Sequence, residues 1–258
     1  MIVMIFSQMK TLQRLWYNVK GKIMPTNYTK ETFKKEPIND IIADMLVYDP
    51  ELRVLIARNT SSAELLRVLA TDSIHKVRYA VAENKDTPSD ALATLAKDNQ
   101  LPVRRNVALN PNTSPDTLIN LAESSYDKRI QRYVAMNESA SADVLIKLAS
   151  YKDDDELLYM VASRKDCPTD VLAELARHDK YNVRHAVATN PSAPADVLSQ
   201  LANDDDEQIR RDVANNRSTP KETLHSLMTD DDEDLTSYYA KRNYADRFKS
   251  ANKHDIER

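Results

Sequence analysis

The sequence predicts an all-α fold, a right-handed α-solenoid of about eight helix-pair repeats of 26 residues, and three observations predict it. Segments that begin at Leu52, Val77, Val103, Ile130, Leu157, Val183, Ile209 and Leu235 recur at intervals of 25 to 27 residues. Within each segment the apolar residues stand three or four apart, which places them on one face of a helix. Pro88, Pro115, Pro168, Pro194 and Pro220 separate two such apolar sets within their units, as helix boundaries require.

The first helix of each unit is marked four residues after its start by Ile56, Val81, Val107, Val134, Val161, Val187, Val213 and Tyr239, and the next residue is always alanine. The second helix reads L-x-x-L-A, as in Leu92/Leu95/Ala96 and Leu198/Leu201/Ala202, with Leu224/Leu227/Met228 departing last. Their lengths suit about two turns and about three turns respectively. Proline is expected at the first position of the second helix, with an acid such as Asp90, Asp170 or Asp196 near a capping-box site. Asn59, Asn84, Asn110, Asn137, Asn190 and Asn216 follow the first helix, with Arg164 and Arg242 as exceptions. Asparagine tolerates the left-handed conformation that closes a helix, so these residues are expected to do what glycine usually does. One helix pair cannot bury its own apolar face, so neighbouring pairs must stack.

The pattern V-R-x-A-V-A-x-N-x-x-T-P-x-x-x-L-x-x-L-A-x-D, legible at 77–98 and again at 183–204, resembles the leucine-rich repeat variant family over residues 52–243. That resemblance implies a HEAT-like bacterial solenoid that alternates α- and 3-10 helices in repeats near 24 residues, and a binding scaffold more than an activity. The longer period here favours two α-helices per unit, with the α/3-10 alternation as second choice. Some members carry an iron–sulfur cluster on N-terminal cysteines; this chain has no cysteine before Cys167, so the feature does not carry over.

Composition excludes much chemistry. The 258 residues contain one glycine, Gly21, whereas phosphate-cradling loops, dinucleotide fingerprints and EF-hand loops each need glycine where the backbone approaches a ligand. One cysteine excludes an internal disulfide and any four-cysteine metal site within one chain. No apolar run approaches a membrane span, and 1–6 has no basic residue before it, so a cytoplasmic protein is expected. No nucleophile elbow, paired histidine spacing or calcium loop occurs, so no catalytic, cofactor or metal residue is assigned and the protein is expected not to be an enzyme.

Charge is uneven. Residues 1–35 carry +6, leaving −10 for 36–258. Residues 1–37 are read as a basic leader or capping helix (Leu12, Leu15, Trp16, Val19 and Ile23 on one side) plus linker, 38–243 as the solenoid and 244–258 as a polar tail. Translation could start at Met1, Met9 or Met24.

In a solenoid, function is written in columns, because one repeat position projects from the same face again and again. One residue after the start stand Arg53, Arg78, Arg104, Arg184 and Arg210, inside the buried arc of the first helix, where loop acids such as Asp72, Asp98, Asp179, Asp204 and Asp230 are the expected partners. Two residues after the start, outside that arc, stand Tyr79, Arg105, Arg132, Tyr159, His185 and Arg211, residue types that dominate binding hot spots. These six are the candidate partner-binding residues. Leu109 and Met136, six residues after their starts, add apolar contact. The acidic runs at 153–156, 204–207 and 230–234 read as helix N-terminal acids, and Cys167 as a packing residue.

The expectation is a non-enzymatic scaffold, a monomer or weak dimer, that binds a protein or peptide along one face. The alternative is a nucleic-acid-binding solenoid that uses the exposed Arg/Tyr stripe, with the acidic body against it.

Overall fold

Two short α-helices form from each of the first seven repeats, and one from the eighth, in the computed structural model, which describes residues 50–124, 127–229 and 235–249. The first helices are α1 (Pro50–Asn59), α3 (His75–Glu83), α5 (Leu101–Leu109), α7 (Lys128–Met136), α9 (Asp155–Ala162), α11 (Tyr181–Thr189), α13 (Glu207–Asn215) and α15 (Leu235–Tyr244). The second helices are α2 (Ala63–Leu69), α4 (Ser89–Leu95), α6 (Pro115–Ser124), α8 (Ala142–Ala149), α10 (Thr169–Leu175), α12 (Ala195–Leu201) and α14 (Lys221–Leu227). Among the described residues there is no strand, and both helices of each pair are α-helical, so the α/3-10 alternation does not occur here. The architecture is an all-α repeat fold. The N-terminal leader expected at 1–37 lies outside the described residues.

The chain divides into two compact units, Met1–Thr117 and Leu118–Arg258. Within each, first helices pack side by side (α1 on α3 on α5; α7 on α9 on α11 on α13 on α15), while successive second helices touch little. The start residues Val77, Val103, Ile130, Leu157, Val183 and Ile209 are buried with their partners four residues on and with the leucines of the second helix. Each fully buried Val, Leu or Ile contributes about 1.5–3 kcal/mol, which explains a core built on aliphatic residues with few aromatics.

The asparagines do something other than expected. Asn84, Asn110, Asn190 and Asn216 sit at φ near −70° and ψ near 125°, extended and not left-handed. Each buries its amide against the preceding repeat. Asn84 Nδ2 donates to Ala57 O (2.7 Å) and Thr60 O (2.8 Å), Asn110 Nδ2 to Ala82 O (2.9 Å) and Asn84 O (2.8 Å). Asn190 repeats this on Ala162 O and Arg164 O, and Asn216 on Ala188 O and Asn190 O. The Oδ1 of each accepts a backbone N–H two residues on, from Asp86, Asn112, Ser192 and Ser218.

A helix leaves its last four carbonyls without an internal partner, and here the next repeat supplies donors for them. This accounts for the alanine column: its carbonyl is the acceptor, and a small side chain lets the neighbouring helix and its amide approach. The carbonyl one residue earlier takes the hydroxyl of Thr87, Thr113 or Thr219, each at 2.6 Å. Arg164 replaces the asparagine in its repeat, with Nη1 donating to Ala135 O (3.0 Å) and Asn137 O (2.6 Å) while Nε and Nη2 donate to the Asp166 carboxylate.

The last repeat is shifted by one residue. Leu235, expected at a core start, is 52% exposed, whereas Thr236 and Ala240 are buried. Asn243, not Arg242, then fills the ladder slot, donating to Ala214 O and Asn216 O at 2.9 Å. Beyond α15 the chain continues in a π-helical turn, Ala245–Lys249, where a polar tail was expected, and Arg247 Nη1 donates to Thr219 O (2.7 Å). Four of the five prolines are also displaced by one position: Pro88, Pro168, Pro194 and Pro220 are the residues before their helices and carry no side-chain cap bond, whereas Pro115 opens α6 as expected. No capping box forms there, and Asp90, Asp170 and Asp196 lie in the first turn, where the helix dipole favours an acid.

Candidate binding face on the first helices

The arginine column one residue after the start is tied into the repeat junctions. Arg53 pairs with Asp72 at 2.7 Å, Arg78 with Asp98 at 2.5 Å and Arg184 with Asp204 at 2.7 Å. The same carboxylates accept the N–H groups of Ile74, Gln100 and Asp206, so each closes a turn as well as an ion pair. Arg78 and Arg184 also donate to the backbone carbonyls that precede their own helices, Asp72 O at 2.8 Å and His178 O at 3.0 Å. Burial works to raise the Asp98 carboxyl, but the Arg78 hydrogen bond and the Gln100 N–H outweigh it and hold it below the usual carboxylate range. Where the arginine is missing, at Leu158, the carboxylate is missing too: His178 stands in its slot, its Nδ1 accepting the Lys180 N–H.

The acidic runs serve as helix starts. Asp154 accepts the Leu157 N–H at the head of α9, and Asp206 accepts those of Gln208 and Ile209 at the head of α13. The run at 230–234 lies outside the described residues. Cys167 is buried and occupies the slot held elsewhere by Thr87 and Thr113; burial pushes its thiol up to about 12, which leaves it protonated and unreactive. Among the described residues no group of three or more His, Cys, Asp or Glu side chains is placed to hold a metal ion, and no helix is long and apolar enough to cross a membrane.

The six stripe residues project from the first helices as follows. Tyr79 on α3 and Arg105 on α5 are half-buried in the first unit. In the second unit Arg132, on α7, pairs with Asp154 at 2.8 Å and with Glu156; the Asp154 hydrogen bond raises its pKa, and burial works against it. Tyr159, on α9, is 41% exposed. His185, on α11, shares a 2.6 Å hydrogen bond with Asp212 and stacks on Tyr181, ring centres 5.6 Å apart and planes 12° apart. Arg211, on α13, pairs with Glu207 and donates to Gln208 Oε1, while Gln208 in turn donates to Asp212.

Four of the six therefore form one strip across the second unit: Arg132 through Glu156, then Tyr159, then His185, then Arg211 through Gln208 and Asp212. At its centre an open cleft of about 560 Å³ lies between α9 and α11. Tyr159, Tyr181 and His185 supply aromatic lining; Asp155, Glu156, Lys180 and Asn182 supply polar lining. Its volume is within the range of small-ligand pockets, about 300–1,000 Å³. Sequence reasoning missed Tyr181, although it lies four residues before His185 and so on the same face of α11. It also missed Tyr238, 57% exposed on α15, because the one-residue shift puts Tyr238 and not the buried Ser237 in the stripe. Leu109 and Met136 are exposed, as their column predicts.

Comparison with known proteins agrees with this architecture. The family described as leucine rich repeat variant matches residues 181–206, the repeat that carries α11 and α12. A solved structure described as a leucine-rich repeat variant with a novel repetitive protein structural motif is 25% identical, with a TM-score of 0.56, over 80% of this chain and 82% of that one. The crystal structure of an engineered protein, 20% identical over 81% of this chain and 98% of that one, has a TM-score of 0.28. No curated protein matches. The resemblance of this chain to the leucine-rich repeat variant proteins is thus one of both sequence, in one repeat, and fold, over four fifths of its length.

Proposed function

We propose that the protein is a non-enzymatic interaction scaffold that binds a partner protein or peptide along its first helices, with the strip from Arg132 to Arg211 as the contact face. The cleft between α9 and α11 carries this reading: three aromatic residues face solvent at the centre of a strip whose charged members are held in place by neighbours. Preorganised aromatic and polar side chains lose little entropy on binding and bring large contact area. Tyr79 and Arg105 occupy the same repeat position within the first unit. The nucleic-acid alternative draws on Arg105, Arg132 and Arg211. Against it, Glu156 and Glu207 already engage two of these, and the body is acidic.

The test is nuclease-treated affinity capture with wild type, Tyr159→Ala, Tyr181→Ala and Ile146→Ala, the last an exposed change on the second helix α8. A protein lost from both tyrosine variants and kept by Ile146→Ala supports the scaffold face. Equal recovery by all four refutes it, and recovery abolished by nuclease transfers the face to nucleic acid.

A further inference from the structure

The cleft between α9 and α11 has a chemical bias that narrows its occupant. Elsewhere in the second unit tyrosine rings carry the protein's own cations: Lys147 Nζ lies 5.9 Å from the Tyr151 ring centre and Lys221 Nζ 5.8 Å from that of Tyr244. Among the described residues no such cation lies over Tyr159 or Tyr181, although both rings are exposed beside carboxylates. Asp155 meets the Lys180 ammonium, like the His178 ring Nε2, only at 3.9 Å, and half of its side chain is exposed. Burial raises the Tyr181 hydroxyl pKa, and the neighbouring carboxylates of Asp212 and Asp206 raise it further. A ring face and a carboxylate together attract a cation, and a planar guanidinium answers both, stacking on the ring and forking onto the carboxylate.

We propose that the cleft receives a basic side chain, arginine above lysine, from a partner peptide, with Tyr159 and Tyr181 as the aromatic contacts and Asp155 as the counter-charge. This rests on the scaffold reading and names the chemistry of the partner that reading requires. Asn182, on the same rim, is an amide suited to the peptide backbone beside that side chain. Glu156, held by Arg132, contributes shape and background charge, and is not the primary anion.

The experiment is amide NMR titration of the full chain with four small probes: the N-acetyl amides of arginine, lysine, citrulline and glutamate. Citrulline keeps arginine's shape without its charge, so the wild-type protein alone decides the question even if a variant misfolds. Saturable shifts confined to 155–160 and 180–186 are expected with arginine, weaker ones with lysine, and none with citrulline or glutamate. Asp155→Asn and Tyr181→Ala should each weaken arginine binding by about fivefold or more, and Asp196→Asn, on α12, should not. Citrulline equal to arginine, glutamate preferred over arginine, or arginine shifts spread over all surface carboxylates would overturn the proposal. Those outcomes leave the scaffold reading standing, which fails only if partner capture ignores the tyrosines.

Discussion

Replacing Asn190 by aspartate exchanges one heavy atom, the amide nitrogen for oxygen, and should cost more stability than truncating the side chain to alanine. Asn190 is 2% exposed; its Nδ2 donates to Ala162 O at 2.6 Å and Arg164 O at 2.8 Å, and its Oδ1 accepts from Ser192 N at 2.8 Å. Alanine forfeits three hydrogen bonds, each worth about 1 kcal/mol net, and leaves buried polar groups unpaired, so about 3 kcal/mol is expected. Aspartate keeps the accepting oxygen but turns a doubly used donor into a charge facing two carbonyls, and about 4–5 kcal/mol is expected at neutral pH. Lowering the pH protonates the introduced carboxyl, restores one donor and should narrow the gap. Urea unfolding of Asn190→Ala, Asn190→Asp and the exposed control Asn203→Asp measures this. Hydrogen exchange should accelerate first in α9 to α12, because repeats interact mainly with their neighbours. If Asn190→Asp were no worse than Asn203→Asp, the inter-repeat ladder would not be what joins these helices.

Other outcomes follow from the junctions. Asp98→Ala should destabilise by about 2–4 kcal/mol, since Asp98 and Arg78 are 4% and 15% exposed, and Asp90→Ala, whose pair with Arg67 is exposed, should destabilise far less. Because the Asp98 and Asp154 pKa values are held below the unfolded ones, their contribution is complete above the ordinary carboxylate range and is lost as pH falls through the depressed values. Asp98→Asn should therefore flatten the acid limb of a stability-against-pH curve, and an unchanged limb would contradict this. In a double-mutant cycle, Leu158→Arg should destabilise alone and regain at least about 1 kcal/mol when joined with His178→Asp, which rebuilds the pair seen at Arg184 and Asp204. The Cys167 thiol should react with a disulfide reagent only as fast as the protein opens; rapid labelling of native protein would refute its burial.

The repeat was legible because each column meets one environment. Alanine at 57, 82, 135, 162, 188 and 214 marks a carbonyl that a neighbour must reach, and the buried aliphatics mark the core face. What the asparagines do was not legible, because a residue that tolerates left-handed backbone and one that donates across a repeat are the same letter; only their extended dihedrals distinguish them. The arginine column was readable as structural from its supply of junction acids. In the stripe, helical periodicity placed Tyr159 and His185 outside the core but not in one cleft, since that depends on how closely α9 and α11 pack. The shift at Leu235 escaped notice because its leucine fits the column by type, whereas burial selects Thr236.

The most direct test of the binding face is a photo-crosslinking amino acid placed at position 159 in the cleft and, separately, at position 146 on α8, in cells that express the protein. Discrete adducts with one partner from position 159, absent at position 146 and suppressed by Tyr181→Ala, are the predicted result. Adducts from position 146 with none from position 159 would contradict it and move the interaction to the second helices.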